Sequence, residues 1–251
     1  MIKGHISIFI PAYNAESTIE SVIARIPERL WESIGTVYLI NDGSLDGTGL
    51  VIDGIAEKKP QCRTVHQSCN RGYGETVKQG LSLCRTDGCR YAVCLHADGQ
   101  YPPEVIEEFV ATMDERNIDL LQGSRIASGS AISGGMPRYK YIAGRLLTAI
   151  ENRAFGLAFT DYHSGFLVYS RKALDALLFE KLSRSFDFDI EVIASAHAAG
   201  LVIGELPIST HYGDEKSYLN PVAYGLRVLR VVIRYRLGKY REMSRRESAV
   251  R

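Results

Sequence analysis

"YAVCLHADGQYPPEVIEEFVATM" (residues 91–113) runs from a short apolar stretch, through a polar loop, into a segment opened by two prolines. "YAVCL" is too short for a helix and does not alternate, which suits a strand buried on both faces. Proline is tolerated in the first helical turn, so "PP" marks a helix start. A buried strand leading into a helix is the repeating unit of a parallel sheet, and it recurs on either side. Upstream lie strand-like "ISIFI" (6–10), "TVYLI" (36–40) and "RTVHQ" (63–67), with helices expected over 17–27, 49–58 and 73–84. Downstream lies "DLLQGS" (119–124). The expected class is α/β: a mainly parallel central sheet with helices on both faces.

In such sheets ligands bind beyond the carboxyl ends of the strands, so the loops there carry the functional reading. Asn14, Asn41–Asp42 and Asp98 each follow a strand and line one rim. In "NDGSLDGT" (41–48), Gly43 and Gly47 permit tight turns, and Asp46 or Thr48 can cap the next helix. "NRGYGETVKQG" (70–80) sets Gly72, Gly74, Arg71 and Lys78 at a helix start, where backbone amides attract phosphate. Each of these also reads as plain turn chemistry. Mg²⁺ and Mn²⁺ bind through one or two carboxylates plus substrate phosphates. "HADGQ" (96–100) offers Asp98, the amide oxygen of Gln100, and His96 either as a nitrogen ligand or as a hydrogen-bonding neighbour.

The second half is less regular. Gly/Ser-rich "SRIASGSAISGGMP" (124–137) reads as a mobile loop, followed by a helix over 139–155, "DYHSGFLVYS" (161–170), a helix over 187–199, a strand "LVIGELPI" (201–208) and a long terminal helix. No repeat or linker separates two cores. The expected division is one domain over 1–215, with halves 1–124 and 125–215, and a basic amphipathic helix and tail over 216–251. With 251 residues, 45% hydrophobic and 24% charged, the chain can bury a sizeable core. Its net charge of +1 hides an asymmetry: residues 222–251 carry nine Lys/Arg against two Glu. Cysteines 62, 69, 84, 89 and 94 form no C-x-x-C pair and read as reduced thiols, with Cys84 and Cys94 in the core. The expected location is cytoplasmic or peripheral on the cytoplasmic membrane face, since no leader or membrane-spanning run is read.

"IFIPAYNAESTI", "YLINDGSLDGT", "NRGYGETVKQG", "LHADGQYPPEVI", "GSR", "DYHSGF" and "ELPI" occur in the order found in family 2 glycosyltransferases. The chain resembles the dolichyl- or polyprenyl-phosphate mannose and glucose synthases over nearly its whole length. The resemblance implies a GT-A (Rossmann-like) fold, a UDP- or GDP-sugar donor, Mg²⁺ or Mn²⁺, and inverting transfer. It places Pro11, Tyr13, Asn14, Asp42 and Gly72 on the nucleotide, with Asp42 reading a base N–H, and Asp98 on the metal with Gln100 assisting. Arg125 and Arg145, with Arg138 as a rival, gather at phosphates. Asp161 is implied as catalytic base, and Glu191 lies on the acceptor side. Two positions depart from the pattern. His96 stands where the family has the first acid of Asp-x-Asp, and Leu167 stands where it has arginine after "SGF". Lys216 or His211 then stands in for the missing charge.

A leaving diphosphate gathers negative charge, which a metal and Arg/Lys stabilise. An acceptor hydroxyl needs a base such as Asp161. An acceptor phosphate is already anionic and leaves Asp161 to orient groups. His163 reads as structural or loop-exposed. In the tail, Val222, Leu226, Leu229, Ile233, Leu237 and Tyr240 recur at helical spacing beside Arg227, Arg230, Arg234 and Arg241. This layout suits an anionic membrane interface, or equally a helix packed on the domain or in a homodimer. The expected partners are a nucleotide-sugar donor and a lipid-phosphate or glycan acceptor, and no nucleic acid. The rival readings are a transferase with a soluble hydroxyl acceptor and a nucleotide-sugar-binding protein without catalysis.

Overall fold

A computed structural model describes residues 4–129, 131–210 and 220–248, with side chains through Met243. Its centre is a seven-stranded sheet. The strands are β1 (Ile6–Ala12), β2 (Ile34–Asn41), β3 (Cys62–His66), β4 (Tyr91–Cys94), β5 (Leu120–Ser124), β6 (Leu167–Ser170) and β7 (Ile203–Pro207). Their spatial order is β3-β2-β1-β4-β6-β5-β7. All pairings are parallel except those of β6, which runs antiparallel to both β4 and β5.

The apolar runs form these strands because both sheet faces are covered. Ile6, Ile8, Ile10, Val37, Leu39 and Val93 join one buried cluster, and Phe9, Ile40, Ala92, Cys94 and Leu167 join the other. Each large side chain so buried contributes about 1.5–3 kcal/mol. The helices are α1 (Ile19–Ala24), α2 (Thr48–Lys58), α3 (Tyr73–Asp87), α4 (Ile106–Arg116), α5 (Arg138–Phe155), α6 (Arg171–Ala176), α7 (Phe188–Ala198), α8 (Pro221–Arg236) and α9 (Lys239–Ser248). The expected elements recur within a few residues. The first helix is shorter than expected, and a 3₁₀ turn, Pro103–Val105, precedes α4.

One second-half expectation changes. The single terminal helix is two, because the chain turns at Gly238 (φ +73°), a left-handed conformation that glycine adopts without strain. Residues 125–129 and 131–135 run through turns, and Ala131 and Met136 are buried.

β6 decides the geometry of the rim. Its antiparallel entry pairs Cys94 with Leu167 and Gln122 with Leu167. The residues just before β6 therefore lie against those just after β4 and β5. Leu167 is fully buried between them, so at this position the chain faces core and not phosphate.

α8 starts at Asn220, whose side-chain oxygen accepts the N–H groups of Val222 and Ala223. Its inward face buries Val228 and Val231. Arg227 pairs with Asp187 at 3.3 Å and Arg234 with Glu191 at 2.6 Å, both acids at the start of α7. Val222, Leu226, Leu229, Ile233 and Leu237 face outward, as do Tyr139, Ile142, Leu146 and Ile150 of the adjoining α5; these nine side chains are 36–74% exposed. Among the described residues no helix is long and apolar enough to cross a membrane, and all five cysteines are free, with Cys84 and Cys94 buried.

Candidate active site

The loops after β1 and β2 are stitched together. Asn14 sits at φ +51°. Its amide donates to Ser44 Oγ (3.0 Å) and its Oδ1 accepts from Leu45 N (2.9 Å). Ala15 N donates to Thr48 Oγ1 and Gly47 N to Glu16 Oε2, both at 2.8 Å. Asp46 Oδ1 accepts from Thr48 N at 3.0 Å, and the N-cap of α2 is Gly47, without a side-chain cap. Beside this mesh, buried Asp42 accepts from Arg71 N (2.7 Å) and Gly72 N (3.1 Å), which ties the start of α3 to the rim. Gly43 is obligatory, since a Cβ there would come 2.3 Å from the Cys69 carbonyl carbon. The structure thus brings Pro11, Tyr13, Asn14, Asp42 and Gly72 to one stretch of rim. Lys78 is elsewhere: its ammonium is buried against Glu75 (2.8 Å) and the Leu182 carbonyl (2.8 Å), away from any phosphate role.

Beyond β4, Asp98 is half-buried, and its Oδ1 accepts from Gln100 N at 3.0 Å. His96 is wedged among three neighbours. Its Nε2 lies 3.1 Å from the Tyr73 hydroxyl, which donates to Asp189 Oδ2 at 2.8 Å. Tyr101 meets the ring edge-on, and a Cβ on Gly165 would strike it at 2.4 Å. Burial lowers the His96 pKa, and Arg125 adds to this against the pull of Asp98. No cluster of three or more His, Cys, Asp or Glu side chains occurs among the described residues. One carboxylate with an oxygen left over, and a neutral imidazole two residues away, is too thin a set to hold a divalent ion unaided. It fits an ion completed by a diphosphate.

Beyond β5, the Arg125 guanidinium grips Asp161 through Nε (2.8 Å) and a terminal nitrogen (3.1 Å) and reaches the His163 carbonyl (2.8 Å). Asp161 also accepts from His163 N at 2.8 Å. Burial pushes its pKa up, but the charge and hydrogen bonds of Arg125 outweigh this and hold it below the usual carboxylate range. A fully engaged carboxylate of low pKa is a weak base, so this geometry suits holding Arg125. Behind it, His163 Nε2 faces Glu151 Oε2 at 3.4 Å. Burial lowers the His163 pKa to about 4 and raises that of Glu151. The other His163 nitrogen, Nδ1, meets the Tyr224 hydroxyl of α8 at 3.0 Å.

Three expectations change or fall outside. Glu191 is not open to an acceptor: it is buried and accepts from Ser183 N (2.5 Å), Arg234 (2.6 Å) and the Tyr240 hydroxyl (2.6 Å), which anchors α8 and α9 on α7. Arg138 and Arg145 stand exposed, one above the other, on α5. Lys216 and His211 lie outside the described residues. Sequence reasoning missed Tyr73 and Asp189, which reach His96 from α3 and α7, and Tyr101, which stands five residues on in the same loop. The available signals were the tyrosines inside "NRGYG" and "GQYPP".

The model for Glycosyl transferase family 2 matches residues 7–178. The chain is 26% identical over 247 residues to a UDP-N-acetylglucosamine–dolichyl-phosphate N-acetylglucosaminyltransferase of Methanococcus voltae, covering 93% of this chain and 97% of that protein. It is 24% identical over 204 residues to a polyprenol monophosphomannose synthase of Mycolicibacterium smegmatis, covering 80% and 76%. The fold is shared with glucosyl-3-phosphoglycerate synthase of Mycobacterium tuberculosis, solved with Mn²⁺, UDP and glucosyl-3-phosphoglycerate. That match has a TM-score of 0.69 at 20% identity and covers 93% of this chain and 80% of that one.

Proposed function

The chain belongs to glycosyl transferase family 2 and has the GT-A fold; from that premise we propose that it moves a sugar from a UDP- or GDP-sugar, with inversion, onto a polyprenyl phosphate at a membrane surface. The observation that carries the lipid acceptor is the outward face of α5 and α8. Ile142, Leu146, Leu226 and Ile233 stand exposed there among Arg138, Arg145 and Arg230. The sequences of α5 and α8 hold one acid, Glu151, and it is buried. An exposed apolar stripe flanked only by cations suits an anionic bilayer. It suits a second copy of the chain poorly, because a twofold contact would set arginines against arginines.

In this reading Pro11, Tyr13, Asn14, Asp42 and Gly72 seat the nucleoside. Asp98, with Gln100 and His96 beside it, would hold Mg²⁺ or Mn²⁺, which would supply positive charge against the leaving diphosphate. Arg125 offers a fixed guanidinium to phosphate oxygens, and Asp161 keeps it aimed and desolvated. An anionic acceptor phosphate attacks without a base, in keeping with an Asp161 already fully engaged. Two dolichyl- and polyprenyl-phosphate enzymes among the relatives support the lipid acceptor.

The test is a panel of UDP- and GDP-sugars with Mn²⁺ or Mg²⁺, each with and without polyprenyl phosphate in anionic vesicles. We expect transfer to require the lipid phosphate. The Leu226→Glu/Ile233→Glu variant should co-sediment with vesicles at least tenfold less while melting as the wild type does, since both side chains are already in water. Turnover that needs no lipid, on the hydroxyl of a soluble acceptor, would establish the second reading. Buried Leu167, where the family carries arginine, favours that alternative.

A further inference from the structure

His96 has two ring nitrogens, and only one can carry the proton of the neutral imidazole. The surrounding hydrogen bonds decide which. Asp189 is buried in the first turn of α7, and among the described residues its Oδ1 has no partner. Its Oδ2 has one donor, the Tyr73 hydroxyl at 2.8 Å. When ionised, a carboxylate out of water with a single donor commits that donor's proton. Tyrosine has one proton to give, so the Tyr73 oxygen must act as acceptor toward His96 Nε2, 3.1 Å away. The Gly165 backbone packs against the same edge of the ring: a Cβ there would come 2.4 Å from Cε1 and 2.6 Å from Nε2. Tyr73 itself is held flat on Phe186, with ring centroids 5.6 Å apart, and edge-on to His96.

We propose that Tyr73 and Asp189 are positioning residues that fix His96 as its Nε2–H tautomer, leaving Nδ1 as the bare nitrogen for a divalent cation shared with Asp98. The assignment of this role rests on the transferase reading; the tautomer does not. The histidine thereby takes the place of the missing acid as a neutral electron-pair donor. The carboxylate lost from the loop has its counterpart two bonds back, in Asp189. A metal-binding histidine whose other nitrogen is left unsupported loses about 10–100-fold in metal affinity, and that is the effect expected of Tyr73→Phe. The substitution keeps the ring packing on Phe186 and removes only the oxygen.

The test is nitrogen NMR of the ¹⁵N-histidine-labelled protein without metal or donor, at a pH above the value of about 7 to which burial raises Asp189. His96→Gln identifies the signals. We expect a pyrrole-type Nε2 and a pyridine-type Nδ1 for His96, and Mg²⁺ with UDP should shift the Nδ1 signal. In Tyr73→Phe the two signals should move toward a mixture of tautomers. A wild-type His96 protonated at Nδ1 overturns the proposal, and so do signals unmoved in Tyr73→Phe. The wild-type spectrum decides the tautomer even where the variant does not fold. Since no turnover is read, a failed tautomer is distinct from a failed transferase assay.

Discussion

Asp161 and Asp189 are both buried aspartates at the substrate rim, yet their surroundings push them in opposite directions. Asp161 meets a guanidinium and two backbone amides, and Arg125 outweighs burial to hold its pKa below the usual range. Asp189 meets one tyrosine hydroxyl, and burial raises it to about 7 against the lowering effect of Tyr73. Burial costs both, and only the first has a cation to offset that cost. The rim therefore holds one permanently charged clamp and one carboxyl close to neutrality, built from the same residue type.

The strongest way to break this contrast is to remove the clamp. Asp161→Ala removes the carboxylate that neutralises Arg125, which is only 14% exposed. We expect a stability loss of about 3–5 kcal/mol in denaturant titrations. Transfer should fall by about 100-fold as the guanidinium loses its aim, and added acetate should restore part of it. Activity unaffected by Asp161→Ala would remove Arg125 from the chemistry.

Gly165→Ala acts between the two aspartates. The new Cβ must displace the His96 ring, which costs about 1–3 kcal/mol by overpacking. Weaker metal dependence is expected, with nucleotide binding intact by calorimetry. An unchanged metal dependence would mean that the ring's position does not matter.

The smallest effect sharpens the contrast through pH. The Asp189 pKa is raised from 3.8 unfolded to about 7 folded, so the folded state holds a proton that the unfolded chain has released. Its stabilising contribution is complete below 3.8 and is lost as pH rises through about 7, at no more than about 1.4 kcal/mol per pH unit. Asp189→Asn should melt with less loss over that interval. Asp161 has the opposite sign: its contribution is present above the unfolded value and is lost as pH falls through its lowered folded pKa. Parallel melting curves for wild type and Asp189→Asn would show that Asp189 keeps its charge throughout.

Much of this arrangement was legible in the chain. Short apolar runs placed β1, β2 and β4, because a strand buried on both faces needs no alternation. The loops after them had to form the rim, since parallel strands end on the same side. β6 was not separable within "DYHSGFLVYS", because four apolar residues read the same in a core helix, a loop or a strand. Its antiparallel insertion is what sets Gly165 against His96. The fates of Lys78, Glu191 and Asp161 were hidden for a different reason. Sequence shows a charged side chain, but not whether a carbonyl, an arginine or water will meet it.

α8 marks the same boundary from the outside. Helical spacing alone established that it has an apolar stripe and a row of arginines. It did not establish which of the two would face the body. Asp187 and Glu191 of α7 draw Arg227 and Arg234 inward while Val228 and Val231 fill the seam, and the stripe from Val222 to Leu237 is left in solvent. Periodicity is a property of the chain and can be read from it. Orientation and ionisation depend on partners brought from many residues away, and only the packed structure chooses them.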